Sequence, residues 1–391
     1  MKEPKVAFVV RNPFQVVQFQ KLAEAFPDAR YLLLDAPGIM AQFDANKIAN
    51  HSPEFEILPR QRVLEVDGKY DVIFFQSPFA LIEQIRSSHL VSVQYGLAKE
   101  RHNYGEWRSL ASMNLMYGPY SASFTSHYGP SYAVGNVKFA GWDFVKAKAE
   151  RPRIEAELGL DPGKKTILFM PTHGELGSFD DLVAPLGALR DRYNVVIKMH
   201  HNNEKKGKTW VDIAASHGHD HLMSGDADQL TLLAAADLVI SDFSGAIFDA
   251  LYAEVAILLY QARADQVVGI QKFSHDSIEF RRRSEIGLVC DDLRDFESAV
   301  STALEKADAL VASAAAIRAE LFVDGRYVDT IGAIREKVFD LIAGKIPRQT
   351  TAQLFVRETC QTLRTLEVNH NALKRKLARR GWIGKLKSLF S

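Results

Sequence analysis

Short apolar runs recur along the first third of the chain, at 5–10, 31–34, 72–75 and 90–93, separated by segments such as 16–25 and 81–87 with helical spacing. Strand-length runs alternating with helical patterns predict a mostly parallel sheet with helices on its faces. A second series follows, with apolar runs at 166–170, 194–199, 238–240, 256–260 and 287–290. Helical patterns lie between them at 182–192, 229–235 and 296–314, and a helix at 330–342 is expected to close the unit. Residues 112–131 are rich in Ser, Gly, Tyr and Pro and lack a period, so they are expected to form loops facing a cleft. The polar stretch 146–165 contains Arg151-Pro152 and Asp161-Pro162-Gly163 and reads as a linker leading into a helix. The pattern therefore predicts an α/β chain of two Rossmann-like domains facing a cleft, 1–145 and 146–345, with a helical tail over 346–391.

The segment ADLVISDFSGAIFDALYAEVAILLY (236–260) says most about chemistry. Its apolar run ends in Ser241-Asp242, a small-residue turn follows at Ser244-Gly245, and a helical pattern then begins. A strand running into a helix N-terminus presents unpaired N–H groups and a partial positive charge, which suits a phosphate. Open α/β sheets place ligands at the carboxyl ends of their strands. Two more strands of this half end in polar residues: Pro171-Thr172-His173-Gly174-Glu175 after 166–170, and His200-His201-Asn202 after 194–199. One sheet edge would thus gather His173, His200 and Ser244, with imidazoles able to donate to phosphate oxygens or to move a proton. Each histidine fits equally well as a loop residue bonded to backbone. Asp249 reads as a helix-face charge and Asp237 as a residue that orients its strand.

No metal site is expected. His200 and His201 point apart on an extended chain, and no carboxylate or further histidine stands at helical ligand spacing. His217, His219 and His221 alternate to one side but lie in a polar stretch that reads as a solvated loop.

In the first half, the run at 90–93 leads into Gln94-Tyr95-Gly96-Leu97-Ala98-Lys99-Glu100-Arg101-His102. This loop would face the second half across the cleft, where an acceptor hydroxyl has to lose its proton. His102 is the candidate general base, with a plain surface histidine as the alternative; Tyr95, Lys99 and Arg101 are acceptor-side candidates. The chain has no P-loop, no GxGxxG after the first strand and no GxSxG elbow, so kinase, dehydrogenase and serine hydrolase readings lack their signals.

Charge adds an attachment segment to this picture. The formal net charge is zero, yet 346–391 carries ten Lys/Arg against two Asp/Glu, so the rest of the chain is acidic. Apolar residues recur at helical spacing in the tail (Leu354, Leu363, Leu366, Leu373, Leu377), followed by Lys374, Arg375, Lys376, Arg379 and Arg380 near Trp382, Ile383, Leu386 and Phe390. Basic amphipathic segments of this kind lie on anionic membrane surfaces; an oligomerisation helix and a solvated basic face are the alternatives. An acidic body argues against nucleic-acid binding. No run of about eighteen apolar residues is present, and the start of the chain runs straight into a strand, so a cytoplasmic protein is expected. Cys290 and Cys360 are too few for a disulfide framework or a zinc site.

Read in order, ILFMPTHGE (167–175), IKMHH (197–201), the 236–260 segment and LFVDGRYVDTIGAI (321–334) resemble the CDP-glycerol glycerophosphotransferase family, the teichoic acid and capsule polymerases with a GT-B-like fold. VKFAGWDF (137–144) is similar to that family's crossover into its second domain. The resemblance implies that Thr172, His200, Ser241, Asp242, Ser244 and Gly245 surround the donor, with Ser244 and the backbone at the start of the helix on the pyrophosphate. It places Asp324 in support of the late segment. It also implies a Trp-His-Gly motif in the first domain whose His is the acid–base residue. Here that place reads Gln94-Tyr95-Gly96, and His173 stands where the family has Arg after Pro-Thr.

The function so implied is transfer of a phosphoalditol, glycerol phosphate or ribitol phosphate, from a CDP-activated donor to an acceptor hydroxyl in teichoic acid or capsule synthesis. His102, His173 and His200 are the catalytic candidates. The partners expected are a glycan or lipid-linked acceptor, an anionic membrane surface at the inner face of the cell membrane, and a second copy of the chain in a homo-oligomer; no cofactor is called for. Two alternatives stay open: a sugar transferase of the same fold using a UDP- or CMP-sugar, and a non-catalytic nucleotide-binding assembly protein.

Overall fold

A computed structural model of the chain describes residues 2–44, 48, 51–204, 209–225, 227–261 and 276–389. Seven strands form the first sheet: β1 (Val6–Val10), β2 (Arg30–Asp35), β3 (Phe55–Pro59), β4 (Val72–Phe75), β5 (His89–Val93), β6 (Met113–Met116) and β7 (Ser131–Ala133). They lie in the order β3-β2-β1-β4-β5-β6-β7, every pair parallel. Six more form the second: β8 (Lys165–Phe169), β9 (Tyr193–Lys198), β10 (His221–Met223), β11 (Leu238–Ser241), β12 (Ala256–Tyr260) and β13 (Leu288–Cys290), in the order β10-β9-β8-β11-β12-β13 and again all parallel. The central strands read as unbroken Val/Ile/Leu/Phe runs because helices cover both faces, so every residue of β1, β4, β11 and β12 is buried. The two parallel α/β sheets read from the sequence are the ones observed.

Several local expectations are overturned. The segment 112–131 holds β6 and the helix Pro119–Thr125 and runs into β7, rather than being loops alone. Its elements are short and β6 is buried throughout, which leaves no period to read; Pro119 opens the helix where its missing N–H costs nothing. Only a 3₁₀ turn, Ile82–Gln84, occupies the helical pattern at 81–87. β3 and β10 went unpredicted. The histidine-rich stretch leading into β10 is not a solvated loop: His219 is buried, with Nε2 2.8 Å from the Val183 carbonyl.

The segment between the sheets is the helix Phe144–Leu158, capped by the Asp143 carboxylate on the N–H groups of Val145 and Lys146 (both 2.9 Å) and ended by Gly159 in the left-handed region. The helix Thr330–Ile342 packs differently from the expectation that it closes the second unit. Arg335 donates to the Ala25 carbonyl, pairs with Glu3 and lies over the Phe26 ring, while Lys337 sits over Tyr132, all on first-sheet elements. The tail forms one helix, Thr351–Leu389. Its first turns dock on the first domain through buried Cys360, Gln353 to the Ser126 carbonyl (2.7 Å) and Arg364 to Glu83 (3.3 Å). The apolar stripe of Leu354, Leu363, Leu366, Leu373 and Leu377 faces solvent instead. No helix among the described residues is long and apolar enough to cross a membrane.

Candidate functional site

In the second sheet the chain order reverses between β8 and β11, and a crevice opens there at the carboxyl ends of the strands. The residues that end those strands are first of all scaffold. The Ser241 hydroxyl donates to the Met170 carbonyl at 2.5 Å, tying β11 to the end of β8. The Asp242 carboxylate, 1% exposed, accepts the N–H groups of Thr172 and Ser178 (2.9 Å each) and the Ser178 hydroxyl (2.8 Å). Burial pushes this carboxyl up, and those donors pull it back.

What the scaffold presents lies one or two residues further on. Pro171, Lys198, His200, Ser244 and Gly245 line a cavity of ≈160 Å³ between the two sheets. The Nδ1 of His200 accepts the Asn202 N–H at 3.1 Å, so the neutral ring carries its proton on Nε2 as a donor. Its ring stacks on His173 with centroids 4.4 Å apart. The Lys198 ammonium donates to the Gly225 carbonyl at 2.8 Å.

The facing wall comes from the first domain. Gln94 is fully buried: its Oε1 accepts the Tyr117 N–H at 2.7 Å, and its Nε2 donates to the Ser121 hydroxyl (2.9 Å) and the Gly96 carbonyl (3.0 Å). That clamp turns Tyr95 and Gly96 to the cavity, where the Tyr95 ring packs on Phe14 at 5.5 Å. Burial, and then the charge of Asp249, push the Tyr95 phenol up to about 12. Lys138, from the crossover, bridges the walls by pairing with Asp249 of the helix Ala246–Tyr252 at 2.8 and 3.0 Å; Gln229 donates to the same carboxylate at 3.0 Å. A second space of ≈300 Å³ shares Phe14, Gln18, Lys138, Lys198 and Asp249 with the first. Two ammonium groups, an imidazole N–H and a serine hydroxyl around one cavity suit a phosphate-bearing ligand. Among the described residues no group of three His, Cys, Asp or Glu is placed to hold a metal ion.

Of the residues singled out in the sequence, Tyr95, His200, Ser244 and Gly245 meet at this cavity. Thr172, Ser241 and Asp242 hold its floor from behind, and His173 supports His200. Lys99, Arg101 and His102 do not line it. The Lys99 N–H donates to Glu279 at 2.7 Å and the Glu100 N–H to the Ser277 hydroxyl at 3.1 Å, so this loop latches onto the second domain. Arg101 and His102 sit exposed on the short helix Glu100–Asn103. Asp324 accepts the Arg326 N–H at 2.9 Å in the late segment. Sequence reasoning missed Phe14, Gln18, Lys138, Lys198 and Gln229. Lys198 ends β9 two residues before His200, so the strand-end rule that found His200 reaches it too. Asp249, read as a helix-face charge, is buried and paired.

The likenesses of the chain to known proteins point to the same half of the site. Residues 142–267 match the family model described as CDP-Glycerol:Poly(glycerophosphate) glycerophosphotransferase. No curated protein matches the chain in sequence. Among solved structures, the wall teichoic acid polymerase TagF superposes with a TM-score of 0.60 at 14% identity, covering 87% of this chain and 89% of that one. A variant of TagF soaked with CDPG gives 0.61 at 14%, covering 88% and 90%. HepE from Anabaena, solved with UDP and glucose, gives 0.52 at 14%, covering 87% of this chain and all of that one. The resemblance read from the sequence is met again here: residues 142–267 are similar to the CDP-glycerol glycerophosphotransferases, on a fold shared with TagF over most of the chain.

Proposed function

We propose that the chain transfers a phosphoalditol from a CDP-activated donor to an acceptor hydroxyl during synthesis of a cell-surface polymer. The observation that carries this reading is the convergence of Lys138, Lys198, His200 and Ser244 on one cavity inside the segment matched by the family model and the crossover beside it. In this reading the acceptor oxygen attacks the β-phosphorus in line. The bond from that phosphorus to the bridging oxygen breaks, and CMP leaves with the electron pair. Lys138, Lys198 and the His200 Nε2–H stabilise charge on the phosphoryl oxygens. A phenol at about 12 is no base near neutral pH, so Tyr95 shapes the pocket and does not replace the family histidine. Asp249, the carboxylate lining the cavity beside Lys138, takes the acceptor proton.

The finer parts of the reading rest on the tail. Its solvent-facing leucine stripe next to basic residues fits peripheral attachment to an anionic inner leaflet, where a lipid-linked acceptor of teichoic acid or capsule would be met. Turnover of CDP-glycerol, CDP-ribitol and UDP-glucose, followed by the nucleotide released, tests the proposal: CMP from a CDP-alditol supports it. Release of UDP alone establishes the second reading, sugar transfer, which the absence of the family histidine at Tyr95 favours. No release from any donor leaves a binding protein.

A further inference from the structure

The first sheet has its own reversal of chain order, between β1 and β4, and therefore its own crevice at the carboxyl ends of the strands. A cavity of ≈350 Å³ fills it, distinct from the donor cavity in every lining residue. Arg11 follows β1, Asp35 ends β2, Arg60 follows β3, and Pro78–Ala80 follow β4; the tail helix closes the space with Arg364. Three guanidinium groups thus surround one space that has Asp35 as its carboxylate.

Two of the three are held in place through part of their donor set. Arg11 donates from Nη1 to the Pro78 carbonyl at 3.2 Å. Arg364 donates from Nη2 to the Phe79 carbonyl and from Nε to Glu83, both at 3.3 Å. The Arg60 guanidinium makes no hydrogen bond or ion pair with any described residue. Guanidinium forks fixed on one side and open on the other match the oxygens of a phosphate better than flexible ammonium groups do. The same corner leads to the donor cavity. The Arg11 N–H donates to Gln15 (2.7 Å), Gln15 to Gln76 (3.4 Å) and Gln76 to Gln18 (2.8 Å), and Gln18 lines the donor space.

We propose that this cavity is a second anion site, which takes a phosphate ester of the acceptor on the first-domain side while the donor occupies the other cavity. The binding of phosphate stands on the arginines alone; its assignment to the acceptor rests on the transferase reading above. The tail helix is then part of the substrate site as well as an attachment segment, since Arg364 comes from it.

The test is calorimetric titration of the full chain, saturated with CDP so that the donor cavity is filled. The probes are glycerol 3-phosphate as a monoester, glycerophosphoglycerol as a diester, and glycerol as the uncharged control. Binding of either ester but not of glycerol is expected, weakening with salt, and Arg60→Gln should weaken it about tenfold. Arg60 is exposed and unpaired, so this variant keeps its fold, and Arg364→Gln should act in the same direction. A preference for the diester identifies an internal unit of a polymer, and a preference for the monoester identifies a chain end or a free phosphate; both support the site. Absence of binding with CDP bound, or binding unchanged in Arg60→Gln, overturns it. Failure of the transferase reading shows separately, as loss of CDP binding or of nucleotide release.

Discussion

At the carboxyl edge of the second sheet, the carboxylate that ends its central strand is sealed inside. Asp242 is buried and accepts hydrogen bonds from three donors on Thr172 and Ser178. At the corresponding edge of the first sheet, Asp35 ends β2 in solvent and faces a cavity lined with arginine. The same residue type at the same kind of position thus does two jobs. One sheet spends its strand-end polarity on fixing two loops, so that Ser244 and His200 are presented rigidly. The other leaves that polarity facing open space.

The contrast is sharpest under paired substitution. Asp242→Ala removes one acceptor and strands three buried donors, which should cost about 4 kcal/mol of stability. Asp35→Ala should stay within about 0.5 kcal/mol. Urea unfolding of the two variants measures the difference, and equal losses would show that the Asp242 loop is not held as described.

A second test concerns the seam between the regions. Glu279 is fully buried where the loop after β5 meets the second domain, facing Lys99 and Glu100 from that loop and Arg283 from its own segment. Burial pushes its carboxyl up to about 7, partly offset by the hydrogen bond from the Lys99 N–H. The folded chain therefore holds a proton that the unfolded chain releases near the ordinary carboxyl value. Glu279 accordingly contributes a stability that is greatest below about pH 4.5 and falls as pH rises toward about 7, by up to roughly 3 kcal/mol. The difference in unfolding free energy between the wild type and Glu279→Gln, followed from pH 4.5 to 7.5, isolates this slope. A difference that does not change with pH removes the buried carboxyl from the account.

The two edges also differ in how far the sequence reveals them. The second is written in contiguous stretches: a strand, its polar end and a helix start follow within ten residues, so His200, Ser244 and Gly245 stand out by position. The wall that faces it across the cavity is assembled from single residues without a motif. Lys138 lies in a 3₁₀ turn, Val137–Phe139, and Phe14 and Gln18 lie on the helix Pro13–Glu24, whose spacing predicts only packing. The fold itself was legible because strands covered on both faces have to be apolar throughout. Short elements such as β6 and β7 carry too few residues for a period to register. Asp249 was misread for a related reason: spacing puts it on a helix face, but only the tertiary fold brings Lys138 there.

That last pair gives the most direct comparison of a residue placed by structure with one placed by sequence. Lys138→Gln should weaken CDP binding about tenfold or more, since a charge-assisted contact to a phosphate contributes roughly 1.5–3 kcal/mol. His102→Ala should leave CDP affinity within about twofold, because the exposed helix that carries it lies off the cavity wall. Its turnover should fall by no more than about threefold. A loss of turnover of about a hundredfold in His102→Ala, with CDP binding intact, would move the acid–base role from Asp249 to the loop after β5. It would also mean that the cleft closes further over its substrates than the geometry here allows.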